Sequence, residues 1–117
     1  MEKPQLSQVL SELKKDYLKA FPKKIELLKT LTESKNWEAL MHEYHKLKGT
    51  GKTYGFPDVS VISEKMEGFA KNPDSRKTIL FDQAVVLLQR MYEAYSEEKI
   101  LNLKTDPIGK SILAIKN

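Results

Sequence analysis

Cysteine is absent from the 117 residues. That excludes a disulfide framework and any thiolate-ligated metal, and it agrees with a reducing compartment. Long apolar runs are missing too. None approaches the roughly 20 residues that span a bilayer, and the first fifteen residues carry charges every few positions where a secretory signal would have an apolar core. No membrane association is expected, and the expected location is the cytoplasm. Strand signals are lacking, because no alternating apolar run is bounded by hairpin turns. Glycine and proline are scarce, five of each, so each one is informative as punctuation.

What is present is a soluble, foldable composition. A hydrophobic fraction of 40% and a charged fraction of 31% suit one globular domain able to bury a core unaided. The net charge of +4 comes from lysines interspersed with acids. The densest basic stretch, Lys14, Lys15, Lys19, Lys23 and Lys24, reads as a solvated helix face, and no nucleic-acid partner is expected.

Apolar residues recur every three or four positions from Leu6 to about Thr32, through Leu6, Val9, Leu10, Leu13, Tyr17, Phe21, Ile25 and Leu28. This is the period of a helix with one buried face. Pro22 must kink that helix or divide it. A polar turn follows, with Ser34 or Asn36 available as a cap. The second helix is predicted from Trp37 to about Tyr54. A stop and restart at Gly55-Phe56-Pro57-Asp58 leads to a third helix carrying Val59, Ile62, Met66 and Phe69 inward. After the loop at Asn72 to Ser75, a fourth is predicted from about Lys77 to Leu103, with Ile79, Leu80, Ala84, Leu87, Leu88, Met91, Tyr95 and Leu101 inward. Short connections between long amphipathic helices predict an all-α, up-and-down antiparallel four-helix bundle with an additional N-terminal helical segment. The bundle should occupy residues 1–104, and residues 105–117 form a tail, either docked or mobile. Its polar outside predicts a monomer.

The chemistry is concentrated in HKLKGTGKTYGF, residues 45–56. At about 100° per residue, Leu40, Tyr44, Leu47, Gly51 and Tyr54 share one side of the helix and His42, His45, Lys48, Gly49 and Lys52 the other. An imidazole with an ordinary pKa of about 6.5 is mostly neutral at pH 7 and is then a good nucleophile. Lys48, one turn on, is placed to neutralise negative charge built up on His45. Gly49 costs about 1 kcal/mol inside a helix, which makes sense where something large must approach the imidazole closely. His42 reads as a surface neighbour of this site.

This pattern resembles the signature of histidine-containing phosphotransfer domains: His-x-Leu-Lys-Gly-Thr, a further glycine at Gly55, the apolar Val59, Ile62 and Met66, and Glu67 at the acidic or amide position that closes the motif. Weaker similarity runs from about Tyr17 to Tyr95. The resemblance implies a four-helix bundle that acts as a phosphoryl carrier, without kinase or ATPase activity of its own. It implies that His45 accepts the phosphoryl group at Nε2, that Lys48 stabilises it, that Gly49 admits a partner and that Gly55 lets helices pack closely. Glu67 would accept from Nδ1–H of His45 and fix the tautomer, or pair with Lys48 instead. The implied partners are a response-regulator receiver domain, a sensor histidine kinase, or both, with any Mg²⁺ belonging to the partner and no metal or cofactor here. Lys52 is bulkier than the family pattern and would tune which receiver docks.

Two other motifs are decoys. Gly49 to Thr53, GTGKT, imitates the end of a phosphate-binding loop, but the required earlier glycine is Lys46 and no strand precedes it. His42-Glu-Tyr-His45 imitates a zinc-protease motif, but that motif sets its two ligands four residues apart rather than three, and no third ligand is evident. The remaining rival is a helical interaction module that uses the same face without phosphate chemistry.

Overall fold

The computed structural model describes the backbone of residues 2–116 and the side chains of residues 6–116. Four helices form an up-and-down bundle: α1 (Glu2–Glu33), α2 (Trp37–Thr53), α3 (Pro57–Lys71) and α4 (Thr78–Ser96). A fifth, α5 (Pro107–Ala114), packs across α3 and α4. No strand occurs among the described residues. Each bundle helix touches the one before and the one after it, and α1 closes the ring against α4. The pairing is antiparallel: Tyr17, midway along α1 where it enters the bundle, stacks on Tyr54 just beyond α2, and Phe56 before α3 meets Tyr95 late in α4.

The periodic residues explain the core. Phe21, Leu28, Leu40, Tyr44, Ile62, Met66, Phe69, Phe81, Leu87, Leu88 and Met91 are fully buried, and burying each such side chain is worth about 1.5–3 kcal/mol. Asn36 caps α2, its side-chain oxygen accepting from the amide of Ala39 at 3.1 Å. The left-handed backbone that opens this turn falls on Lys35 (φ 55), which tolerates it less readily than glycine. Between α2 and α3 the reversal uses Gly55 at φ +90.

Several expectations need correction. Pro22 does not divide α1, which is continuous through it. Pro22 itself is exposed, and Phe21 and Ile25 are buried on either side of it, so the packing of its neighbours holds the helix together through the proline. The additional N-terminal helical stretch is thus the first part of a continuous α1 rather than a helix of its own, and a further helix, α5, is present as well. The α4 helix stops at Ser96 rather than near Leu103: Glu98 turns left-handed (φ 58) and the amide of Lys99 wraps back to the carbonyl of Ala94. Leu101 therefore lies beyond the helix, and Ile79, predicted inward, is 67% exposed in the first turn.

Leu6, Val9, Leu10 and Leu13 were expected on a buried face but are exposed. Lys14, the next residue, lies against Gly55 and over the ring of Phe56, so α1 outruns the bundle before that point. Of the tail, residues 105–116 are described, and they pack on the other elements. Asp106 accepts from the amides of Ile108 and Gly109 and from Arg90. Ile112 is fully buried, Gly109 lies against the backbone of Leu103, and Lys65 donates to the carbonyl of Ile115.

Candidate functional site

The site lies where α2 and α3 run side by side. Their close approach depends on Gly51: a Cβ there would come within 3.0 Å of the Val59 side chain and the Ser60 hydroxyl. The role of packing glycine, which the resemblance assigned to Gly55, thus belongs to Gly51, and Gly55 serves the turn. Ser60 adds a cross-link by donating to the carbonyl of Lys48, and the Tyr17 hydroxyl bonds that of Thr50 at 3.0 Å, tying α1 to the same turn.

This packing brings His45 and Lys48 of α2 over Glu67 of α3. The imidazole of His45 is 64% exposed, and its Nδ1 lies 2.9 Å from Oε2 of Glu67, whose side chain is only 8% exposed. Lys48 Nζ sits 3.1 Å from Oε1 of the same carboxylate. The two partners that the sequence offered Glu67 as alternatives are therefore both engaged, one on each oxygen. Lys71 adds a third cation, 3.4 Å from Oε2. Sequence reasoning passed over Lys71, although its position four residues after Glu67 on one helix is a readable signal.

Electrostatics follow from this geometry. Burial alone would raise the pKa of Glu67, but hydrogen bonds from Lys48, His45 and Lys71 outweigh it and hold the carboxyl below its usual range. An ionised carboxylate only accepts. A contact of 2.9 Å to Nδ1 then requires the proton on Nδ1, which leaves the lone pair on Nε2. The arrangement can present a neutral, outward nucleophilic nitrogen while a buried anion waits behind the ring to balance any positive charge that the ring acquires.

The remaining candidates frame this imidazole without touching the carboxylate. His42, Gly49 and Lys52 are exposed along α2, and nothing lies within 4 Å of where a Cβ on Gly49 would sit. The helix runs unbroken through the GTGKT segment, so its amides are engaged along the helix rather than gathered into a phosphate cradle. Among the described residues, no three histidine, aspartate or glutamate side chains converge as metal ligands.

No curated protein and no solved structure matched the chain. A family model described as Hpt domain matches residues 12–98, a span that holds α1 from residue 12 onward, all of α2, α3 and α4, and His45, Lys48 and Glu67. The all-helical bundle, the motif on α2 and this match agree: the chain belongs to the Hpt domain family.

Proposed function

We propose that this protein is a phosphorelay carrier that takes a phosphoryl group on Nε2 of His45 and exchanges it with an aspartate of a receiver domain. Hpt domains as a family carry out histidine phosphotransfer in phosphorelays and interact with receiver domains and histidine kinases. The observation that carries the assignment to His45 is the pairing of its Nδ1 with the buried Glu67 at 2.9 Å while the ring stands in solvent. A helical module that only binds would have no use for an ionised carboxylate under one imidazole.

In the proposed step the Nε2 lone pair attacks the phosphorus of the receiver's acyl phosphate. A P–N bond forms, the P–O bond to the aspartate breaks, and the aspartate leaves as a carboxylate. The ring becomes a phosphorylated imidazolium that keeps its Nδ1 proton, and Glu67 balances its charge. Lys48 exchanges part of its contact with Glu67 for the phosphoryl oxygens, where a cation stabilises the charge in transfer. Gly49 leaves room for the receiver, and His42 and Lys52 border the contact. Any Mg²⁺ belongs to the partner. Among the described residues no helix is long and apolar enough to cross a membrane, and we place the exchange in the cytoplasm, where receivers and kinase domains act.

Incubation with a phosphorylated receiver, or with its kinase and ATP, should give a base-stable, acid-labile phosphate on the chain. His45→Gln should abolish it with the helical circular dichroism unchanged. Full labelling of that variant would reject His45 as the acceptor.

A further inference from the structure

The proposed transfer places two opposing demands on the imidazole of His45. Its proton must stay on Nδ1, which needs the carboxylate of Glu67 behind it. The ring must otherwise remain neutral, because an imidazolium has no lone pair on Nε2 with which to attack. An anion in contact with an imidazole favours the charged form of the ring. Glu67 alone, 8% exposed and 2.9 Å from Nδ1, would therefore orient the nucleophile and disarm it at once.

Two lysines stand against that outcome, and they are not equivalent. Lys48 Nζ lies 3.1 Å from Oε1, the oxygen that the ring does not use. Lys71 Nζ lies 3.4 Å from Oε2, the same oxygen that accepts from Nδ1. Lys48 gives up part of its contact when a phosphoryl group arrives. Lys71 has no such second task. It closes α3 one turn after Glu67, where the negative end of the helix dipole favours a cation, and its contact with the carboxylate lies within one helix. Burial would push the carboxyl of Glu67 toward the neutral form, and these partners keep it ionised. Among the described residues, the charged side chains paired in this site are Glu67 and Lys71 from α3 and Lys48 from α2. His42 and Glu64, one turn before His45 and Glu67, are exposed and make no ion pair with them. The remaining ion pairs, Lys46 with Glu43, Arg90 with Asp106 and Lys99 with Glu97, lie outside it.

We propose that Lys71 is a positioning residue for the transfer: paired with the oxygen that holds Nδ1–H, it offsets the charge of Glu67 so that the ring stays neutral until a phosphoryl group arrives. The inference rests on His45 being the acceptor. When Lys48 turns to the phosphoryl oxygens, Glu67 keeps one lysine where it had two. More of its charge then faces the ring just as the ring becomes a phosphorylated imidazolium. The Nδ1 proton stays in place throughout, and no other proton enters or leaves. Lys71 is 60% exposed, so solvent screens part of its charge. The expected displacement is up to about one pH unit, the low end for a charge a few ångströms away.

The pH profile of single-turnover transfer from a phosphorylated receiver tests it, in the intact chain and in Lys71→Gln and Lys71→Arg. In the wild type the rate should fall on the acid side as the ring becomes imidazolium. In Lys71→Gln that fall should come at higher pH, by up to about one unit, with the full rate regained on the alkaline side. Lys71→Arg, which keeps the charge, should return the profile to that of the wild type. A merely structural role would instead lower the rate by one factor at every pH. Nitrogen-15 NMR of the free chain reads the same balance with no partner present: the neutral Nδ1–H ring should give way to imidazolium at higher pH in Lys71→Gln. Coincident profiles, a uniform loss across pH, or an arginine variant that behaves like glutamine would each overturn this inference while leaving the carrier reading intact. A wild-type chain that takes no label at all would overturn both.

Discussion

Nδ1 of His45 and Oε2 of Glu67 lie 2.9 Å apart across the α2–α3 interface, the imidazole in solvent and the carboxylate beneath it. Twenty-two residues separate them in the chain, and only the antiparallel packing of two helices over Gly51 makes them neighbours. The pair sets both the proton position on the ring and the charge balance behind it, and these two effects can be separated. Glu67→Gln keeps an acceptor for Nδ1–H but removes the charge. Glu67→Ala removes both. Transfer from a phosphorylated receiver should fall several-fold in the first and about 10–100-fold in the second, the range for lost orienting partners. Nitrogen-15 NMR of the imidazole should show the Nε2–H tautomer only in the alanine variant. Equal tautomer populations in all three proteins would remove Glu67 from this role.

Much of this was legible in the sequence, for physical reasons that also mark the limit. Helices α2 and α3 were readable because their apolar residues sit at intervals of three and four and the glycine-proline turn separates them. Periodicity reports that a face exists but not what covers it, so the Leu6 to Leu13 stripe was assigned to a core that ends at Tyr17. The end of α4 was unreadable for a different reason. Its left-handed residue is Glu98, with no glycine or proline to mark the stop. Gly51 and Gly55 were indistinguishable as small residues, and only the 3.0 Å approach at Gly51 and the φ of +90 at Gly55 separate packing from turning.

Lys48 reaches Glu67 from the solvent side at 3.1 Å, a contact available for exchange once a phosphoryl group arrives. Lys48→Ala should slow transfer by up to about 100–1,000-fold, the loss expected for one charge-stabilising donor in transfer. Because Lys71 also faces the carboxylate, Lys48→Ala should leave the fold intact. Single-turnover transfer rates alongside urea unfolding check both halves, and a variant that transfers normally would show the contact with Glu67 to be purely structural.

The two glycines of α2 should respond in opposite ways. Gly49 faces open space, so Gly49→Leu should hold or raise stability by up to about 1 kcal/mol through helix propensity, yet it should impair transfer by blocking the receiver. Gly51→Ala gains the same propensity but drives a Cβ to 3.0 Å from Val59 and Ser60. Overpacking of that kind costs about 1–3 kcal/mol, so the variant should be less stable. Urea midpoints and transfer rates for both variants distinguish access from packing, and unimpaired transfer by Gly49→Leu would end the access argument.

Glu67 also makes stability depend on acid in a predictable direction. Its folded-state pKa is held below the ordinary glutamate value of about 4.3. The contribution is therefore complete above that value, and it is lost as pH falls through the lowered folded pKa, where the unfolded chain already binds the proton. Unfolding free energy measured by urea titration between neutral pH and pH 3 should decline across that window in the wild type. In Glu67→Gln the decline should be shallower, with the two curves converging at the acid end because a protonated Glu67 and a glutamine are both uncharged. Parallel curves would mean that the three cations around Glu67 do not stabilise its charge more than water does.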